Sequence, residues 1–192
     1  YWGTASEFAT ATGSLTTNGG TEDGYDGIDL ALQNLTFRAG ASKHVILVTD
    51  ENRDDTTPNL TFQDVETSLN AADATLHVII NGALDTVNQT NDALGIDGEG
   101  AADTAYFPDG SGGFTEAVGG GVTYTFSTNP DSTASDDHYI DLAFAVGGTA
   151  WDLNKLRDQQ NPDLAESFTA AFVSRLTDQI TAEQLDLVAS DP

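Results

Sequence analysis

Between positions 25 and 37 the residues Tyr25, Ile28, Leu32 and Leu35 recur at helical steps, which predicts a helix with these four facing inward. Gly19, Gly20 and Thr21 precede it as a loop and cap. The run His44 to Thr49 is too apolar to alternate and rich in β-branched residues, the pattern of a strand buried on both faces, as in a parallel sheet covered by helices. A polar loop, 50–59, leads to a second helix over Phe62 to Ala72, with Phe62, Val65 and Leu69 inward. Thr75 to Ile80 reads as the next buried strand, so the segment is a right-handed βαβ unit.

The stretch 97–135 is rich in Gly, Asp, Ser and Thr. Thr104–Phe107 and Phe114–Ala117 flank a Gly-rich turn and predict a hairpin, and 121–126 alternates as a third short strand. This segment reads as an insertion beside the α/β core. Helical spacing resumes from Asp137 to Val146 and stops at Gly147-Gly148, and Thr149 to Leu153 fits a last strand. Asn161-Pro162 supplies an N-cap and a first helical proline for a final helix, inward at Leu164, Phe168, Phe172, Leu176 and Ile180. The expected fold is α/β: a Rossmann-like, mostly parallel sheet with helices on both faces and a β-rich Gly/Asp insertion. One unit is expected over 1–180, with an acidic tail or linker over 181–192.

Charge narrows the function. The 192 residues carry 31 Asp+Glu against 6 Lys+Arg, a net charge of -25. Such a surface cannot work by displacing counterions from phosphates, which needs clustered Lys and Arg, and it is repelled by anionic membranes. No apolar run approaches the roughly 18 residues of a membrane span, so direct membrane insertion is not expected. Cys and Met are absent, which removes disulfides, thiolate metal sites and thiol nucleophiles. An acidic chain with no sulfur to oxidise suits a secreted or cell-surface setting.

Ligand crevices of open α/β sheets lie at the carboxyl ends of the strands. Asp50 directly follows the first predicted strand, and Thr21 lies in the loop entering the first helix. A hydroxyl and a carboxylate together suit a hard divalent cation, Mg, Ca or Mn. The alternative for both is a solvated loop residue.

The segments Asn18 to Leu32 and Val45 to Glu51 resemble the von Willebrand factor type A domain, in which Gly-Gly-Thr enters a helix ending in Ala-Leu and the next strand ends in Thr-Asp. Tyr139 to Leu153 is similar to that family's closing helix, double Gly and last strand. The resemblance implies a Rossmann-like sheet with a metal-ion-dependent adhesion site, in which Thr21 and Asp50 are the metal ligands and Glu22, Asp23 and Glu51 are outer-shell or binding candidates. The family's first motif, Asp-x-Ser-x-Ser, does not occur in this sequence. The resemblance therefore implies a partial domain whose sheet is completed by an N-terminal fragment or by another subunit. It also implies a non-enzymatic adhesion module whose cation accepts an acidic residue from a protein ligand or neighbouring subunit. The alternative is a structural subunit of an extracellular filament or surface layer, assembled through an open sheet edge.

Other motifs weigh less. The order Asp109-Gly110-Ser111-Gly112-Gly113 differs from a serine-protease nucleophile loop, and a structural turn explains it better. Asp97, Glu99, Asp103 and Asp109 do not follow EF-hand spacing, leaving a hydrated loop as the alternative to Ca binding. His77 reads as a hydrogen-bonded core residue and Trp151 as core. Of three sequons, Asn34 falls within a helix, so Asn59 and Asn88 are the glycosylation candidates.

Overall fold

From Lys43 the chain makes its first strand, β1 (Lys43–Thr49), crosses over through a helix, α3 (Phe62–Ala72), and returns in a parallel strand, β2 (Ala74–Ile80). The computed structural model describes residues 3–13, 22–50, 53–54, 60–85, 93–98, 103–118, 123–125 and 137–190. Two helices precede this unit, α1 (Ala5–Thr12) and α2 (Gly24–Asn34). The βαβ expectation is met almost residue for residue, because each signal is local. Thr61 and Asp64 close a capping box at the start of α3, and Val65 and Leu69 point into the core.

After β2 come short strands β3 (Ala83–Asp85) and β4 (Gly95–Ile96), the hairpin β5 (Thr104–Pro108) and β6 (Phe114–Val118), and β7 (Thr123–Thr125). Helix α4 (Asp137–Ala145) leads to β8 (Thr149–Asp152), followed by one turn of helix, α5 (Leu153–Leu156), and a long final helix, α6 (Pro162–Ser190).

The main sheet has the order β1-β2-β8-β4-β5-β6. Strands β1, β2 and β8 are parallel, while β4, β5 and β6 add on antiparallel. The sheet is thus mixed rather than mostly parallel. The segment expected to stand beside the core is partly built into it: β4 pairs directly with β8, while β7 leaves the hairpin to pair with β3 in a second small sheet. The stretch 181–190, expected to be an acidic tail, continues α6.

One face of the sheet packs Leu76, Val78 and Ile80 of β2 against Tyr25 and Ile28 of α2, Val65 and Leu69 of α3, and Ile140 and Leu142 of α4. The other packs Ile79, Tyr106 and Trp151 against Phe168 and Ala171 of α6. Each fully buried Leu, Ile or Val contributes about 1.5–3 kcal/mol relative to exposure. Leu35, expected inward, lies just past the end of α2 and is exposed.

A larger departure concerns β1. It is the end strand of the sheet, and Ile46 and Val48 on one of its faces are 44% and 57% exposed. A sequence this apolar reads as buried on both faces, yet α2 packs on only one of them, against Val45 and Leu47. Nothing among the described residues pairs with its outer edge.

The link from α4 to β8 is a Schellman turn: Gly148 N–H donates to the Ala143 carbonyl (2.7 Å) and Gly147 N–H to Phe144 (3.1 Å). Gly147 takes the left-handed conformation (φ 74°) that the motif requires. Gly148 lies so close to β2 that a Cβ there would overlap the Leu76 carbonyl oxygen, a backbone atom that cannot yield alone. Gly148→Ala is therefore expected to lower unfolding free energy by ~3 kcal/mol or more, the upper range for overpacking. Urea unfolding checks this, and a loss under about 1 kcal/mol contradicts the close approach.

Candidate functional site

The carboxyl ends of the three parallel strands form a rim bearing Asp50 after β1, Asn81 after β2 and Asp152 at the end of β8. Asn81 Nδ2 donates to the Asp50 carbonyl at 3.3 Å. The exposed Asp50 carboxylate meets Arg157 Nη1 at 3.0 Å, and the same guanidinium is held by Asn154 Oδ1 at 2.9 and 3.2 Å. Exposed pairs of this kind add little to stability, but the contact occupies one carboxylate oxygen.

Glu22 comes to this rim: its Oε2 lies 3.5 Å from Thr49 Oγ1, and its backbone N–H donates to Asp54 Oδ2 at 2.9 Å. Asp23 is drawn into a structural role. One of its oxygens accepts from Tyr25 N (3.0 Å) and so caps α2, while Arg53 grips both, at 2.8 and 3.1 Å. Both side chains of this pair are nearly buried, and the Arg53 guanidinium also lies 4.2 Å over the Tyr25 ring. A bidentate, desolvated pair stacked on an aromatic ring fixes the start of α2, and removing one partner would leave the other charge buried.

Of the proposed cation ligands, Asp50 is thus at the rim with Glu22 near it. Thr21 and Glu51 lie outside the described residues, as do the sequons at Asn59 and Asn88. No three His, Asp or Glu side chains converge among the described residues, and both Asp23 and Asp50 face an arginine.

The rim also holds a carboxylate that sequence reasoning missed. Asp152 is 1% exposed, caps Asn154 N at 2.8 Å through Oδ1, and has Lys155 Nζ 3.9 Å from Oδ2. Burial raises its pKa, with the Asn154 N–H and Lys155 opposing. Its signal, an Asp two residues before the next backbone donor, is also that of an ordinary helix cap.

Two of the four acidic residues weighed for a Ca loop, Asp109 and Asp97, have protein partners. Asp109 Oδ1 accepts from Ser111 N, Ser111 Oγ and Gly113 N at 2.8, 2.9 and 3.0 Å, which holds its carboxyl below the usual range and closes the hairpin. Asp97 accepts from Thr104 N and faces Arg175 at 3.5 Å. Glu99 lies outside the described residues.

A buried polar chain runs under α6. Trp151 Nε1 donates to Thr149 Oγ1 (2.6 Å), which lies 2.8 Å from His77 Nδ1. His77 Nε2 is 3.0 Å from His44 Nδ1, and His44 Nε2 is 3.1 Å from Glu183 Oε2. An indole N–H only donates, so Thr149 Oγ1 accepts from Trp151, while the donor and acceptor roles of the two imidazoles follow their tautomers. His77 is a core residue, as its apolar strand implied. Its closeness to His44 follows from the β1–β2 register, which the two strand sequences do not reveal.

No family model, curated protein or solved structure matches the chain.

Burial, then His44 and Arg175, push the His77 pKa down from 6.5 to about 3. Because the folded value is the lower one, the unfolded chain binds the extra proton between these limits. His77 stabilises fully above about pH 6.5, and this is lost as pH falls toward 3, at up to about 1.4 kcal/mol per pH unit. Asp152, raised by burial, slopes the opposite way but is common to both proteins in a comparison. His77→Gln is expected to flatten the fall in urea-unfolding free energy between pH 7 and 5, and equal slopes in the two proteins contradict the assignment.

Proposed function

We propose that this protein is a protein–protein interaction module of the adhesion or assembly class, without catalytic activity, and that the outer edge of β1 is its contact. The observation that carries the reading is the state of that strand: seven residues, Lys43 to Thr49, at the end of the sheet, with Ile46 and Val48 exposed on a chain of net charge -25. Sheet edges present unpaired N–H and C=O groups, and proteins that stay single blunt them with charge, proline or a covering segment. Between Lys43 and Asp50 this strand has no acidic side chain and no proline. The resemblance to von Willebrand factor type A domains supports the same reading, since it implies a Rossmann-like sheet completed beyond this edge. The acidic composition without Cys or Met is in keeping with a secreted or cell-surface subunit.

Hydrogen exchange on protein isolated from its natural source tests the reading. Outward amides of β1 are expected to exchange slowly there and at least tenfold faster in an Ile46→Lys/Val48→Lys variant. Fast exchange along β1 in the native material overturns it.

A second reading, a contact that depends on Mg, Ca or Mn, is favoured by the approach of Glu22 to Thr49 beside Asp50. It requires Thr21 as a further ligand and displacement of Arg157. Calorimetric titration of each cation is expected to give saturable binding that Asp50→Asn abolishes and Arg157→Gln tightens. An absence of saturable heat sinks it.

A further inference from the structure

At the amino end of β1, away from the rim, residues within 35–44 line a cavity of about 240 Å³. The charge of its wall runs against that of the chain. From Leu30 to Thr49 there is no Asp or Glu, the longest acid-free run in a sequence with 31 of them, and none lines the cavity. Two of the six Lys and Arg, Arg38 and Lys43, do.

Lys43 Nζ donates to the Ala72 carbonyl at the end of α3. That acceptor has no net charge, so it holds the ammonium in place without neutralising it, and two of the three ammonium hydrogens remain to donate. Among the described residues no carboxylate comes within ion-pair distance of Lys43. Ser42 adds an independent signal. Its Oγ is buried and has no hydrogen-bond partner among the described residues, whereas buried hydroxyls are normally satisfied. Glu183, which meets His44 from α6, is not part of the wall. The apolar share of the wall includes Phe37 and Leu35, the latter exposed just past the end of α2.

We propose that this cavity binds a small organic anion, a carboxylate carried on a short hydrocarbon or aromatic body. The carboxylate accepts charge-assisted hydrogen bonds from Lys43 and one from the Ser42 hydroxyl, Arg38 adds its positive charge, and the body lies against Leu35 and Phe37. Apolar walls with a few converging polar groups are the usual make-up of a small-molecule site. A cationic ligand would be repelled here, a neutral one would gain nothing from the two charges, and an inorganic anion would leave Leu35 and Phe37 uncovered. An anion is repelled at long range by a protein of charge -25, so the local excess of cations is what makes such a site possible. The site is at the opposite end of β1 from Asp50 and does not depend on what pairs with the strand's edge.

Titration of the isotope-labelled chain with benzoate, followed through backbone amide shifts, is the test. Benzamide serves as a neutral probe of the same shape, and inorganic phosphate as an anion without an apolar body. Benzoate is expected to give saturable shifts concentrated in 35–44 and to bind at least tenfold more tightly than either control. Lys43→Gln keeps a donor for the Ala72 carbonyl and removes the charge; it is expected to weaken benzoate at least tenfold. Ser42→Ala, which removes only an unpartnered hydroxyl, is expected to weaken it severalfold with an unchanged melting curve, and carries the comparison if Lys43→Gln lowers the melting temperature. No saturable shift with benzoate, shifts scattered over the surface, equal binding of benzamide, or benzoate binding indifferent to both substitutions overturns the proposal. Phosphate binding as tight as benzoate overturns the assignment of an organic ligand.

Discussion

Strand β8 joins two unlike halves of the sheet, parallel to β2 on one side and antiparallel to β4 on the other, and Trp151 at its centre decides how closely they meet. The indole stacks on Tyr106 at 5.2 Å and meets Phe168 and Phe172 of α6 edge-on at 5.6 and 5.3 Å. It fits because Gly95, its partner on β4, has no side chain; a Cβ there would run into the ring. The polar end of the same indole begins the chain of hydrogen bonds through Thr149 and the two histidines. One residue thus joins strand pairing, helix docking and the buried polar chain that leads to His77.

Electrostatics in this molecule are governed by scarcity of cations. With 31 acidic residues and six Lys and Arg, every positive group has a large effect on the local potential, and its position matters more than its pair energy. Arg53 is used inside, where it fixes the start of α2 through Asp23 and the Tyr25 ring. Arg157 lies outside, where its pairing with Asp50 changes what the rim can bind without contributing much to folding.

How legible this was in the sequence depended on the range of each interaction. The βαβ unit, the double-glycine stop after α4 and the Asn161-Pro162 start of α6 are encoded within a few residues, by periodicity, capping and turn chemistry. The hairpin at 104–118 was legible for the same reason. The place of β4 in the sheet was not, because two residues, Gly95 and Ile96, carry no periodicity and owe their pairing to Trp151 far along the chain. The exposure of Ile46 and Val48 was hidden for a related reason: composition says that a strand seeks cover, and only the tertiary structure says whether this chain supplies it. At the rim, Asp50 was placed by its strand end, whereas its engagement with Arg157 joins residues that no local pattern connects.

The Schellman turn ahead of β8 has a consequence for how this architecture tolerates change. Strands β2 and β8 are neighbours in space, yet β3 to β7 and α4 all lie between them in the chain, and the turn, bonded to the last residues of α4, sets the returning segment against β2. The entropy of closing a flexible loop grows only logarithmically with its length, so doubling such a connection costs only about 0.6 kcal/mol. Insertions between the elements of this excursion therefore cost little chain entropy, while the geometry at which the chain re-enters the sheet stays the same.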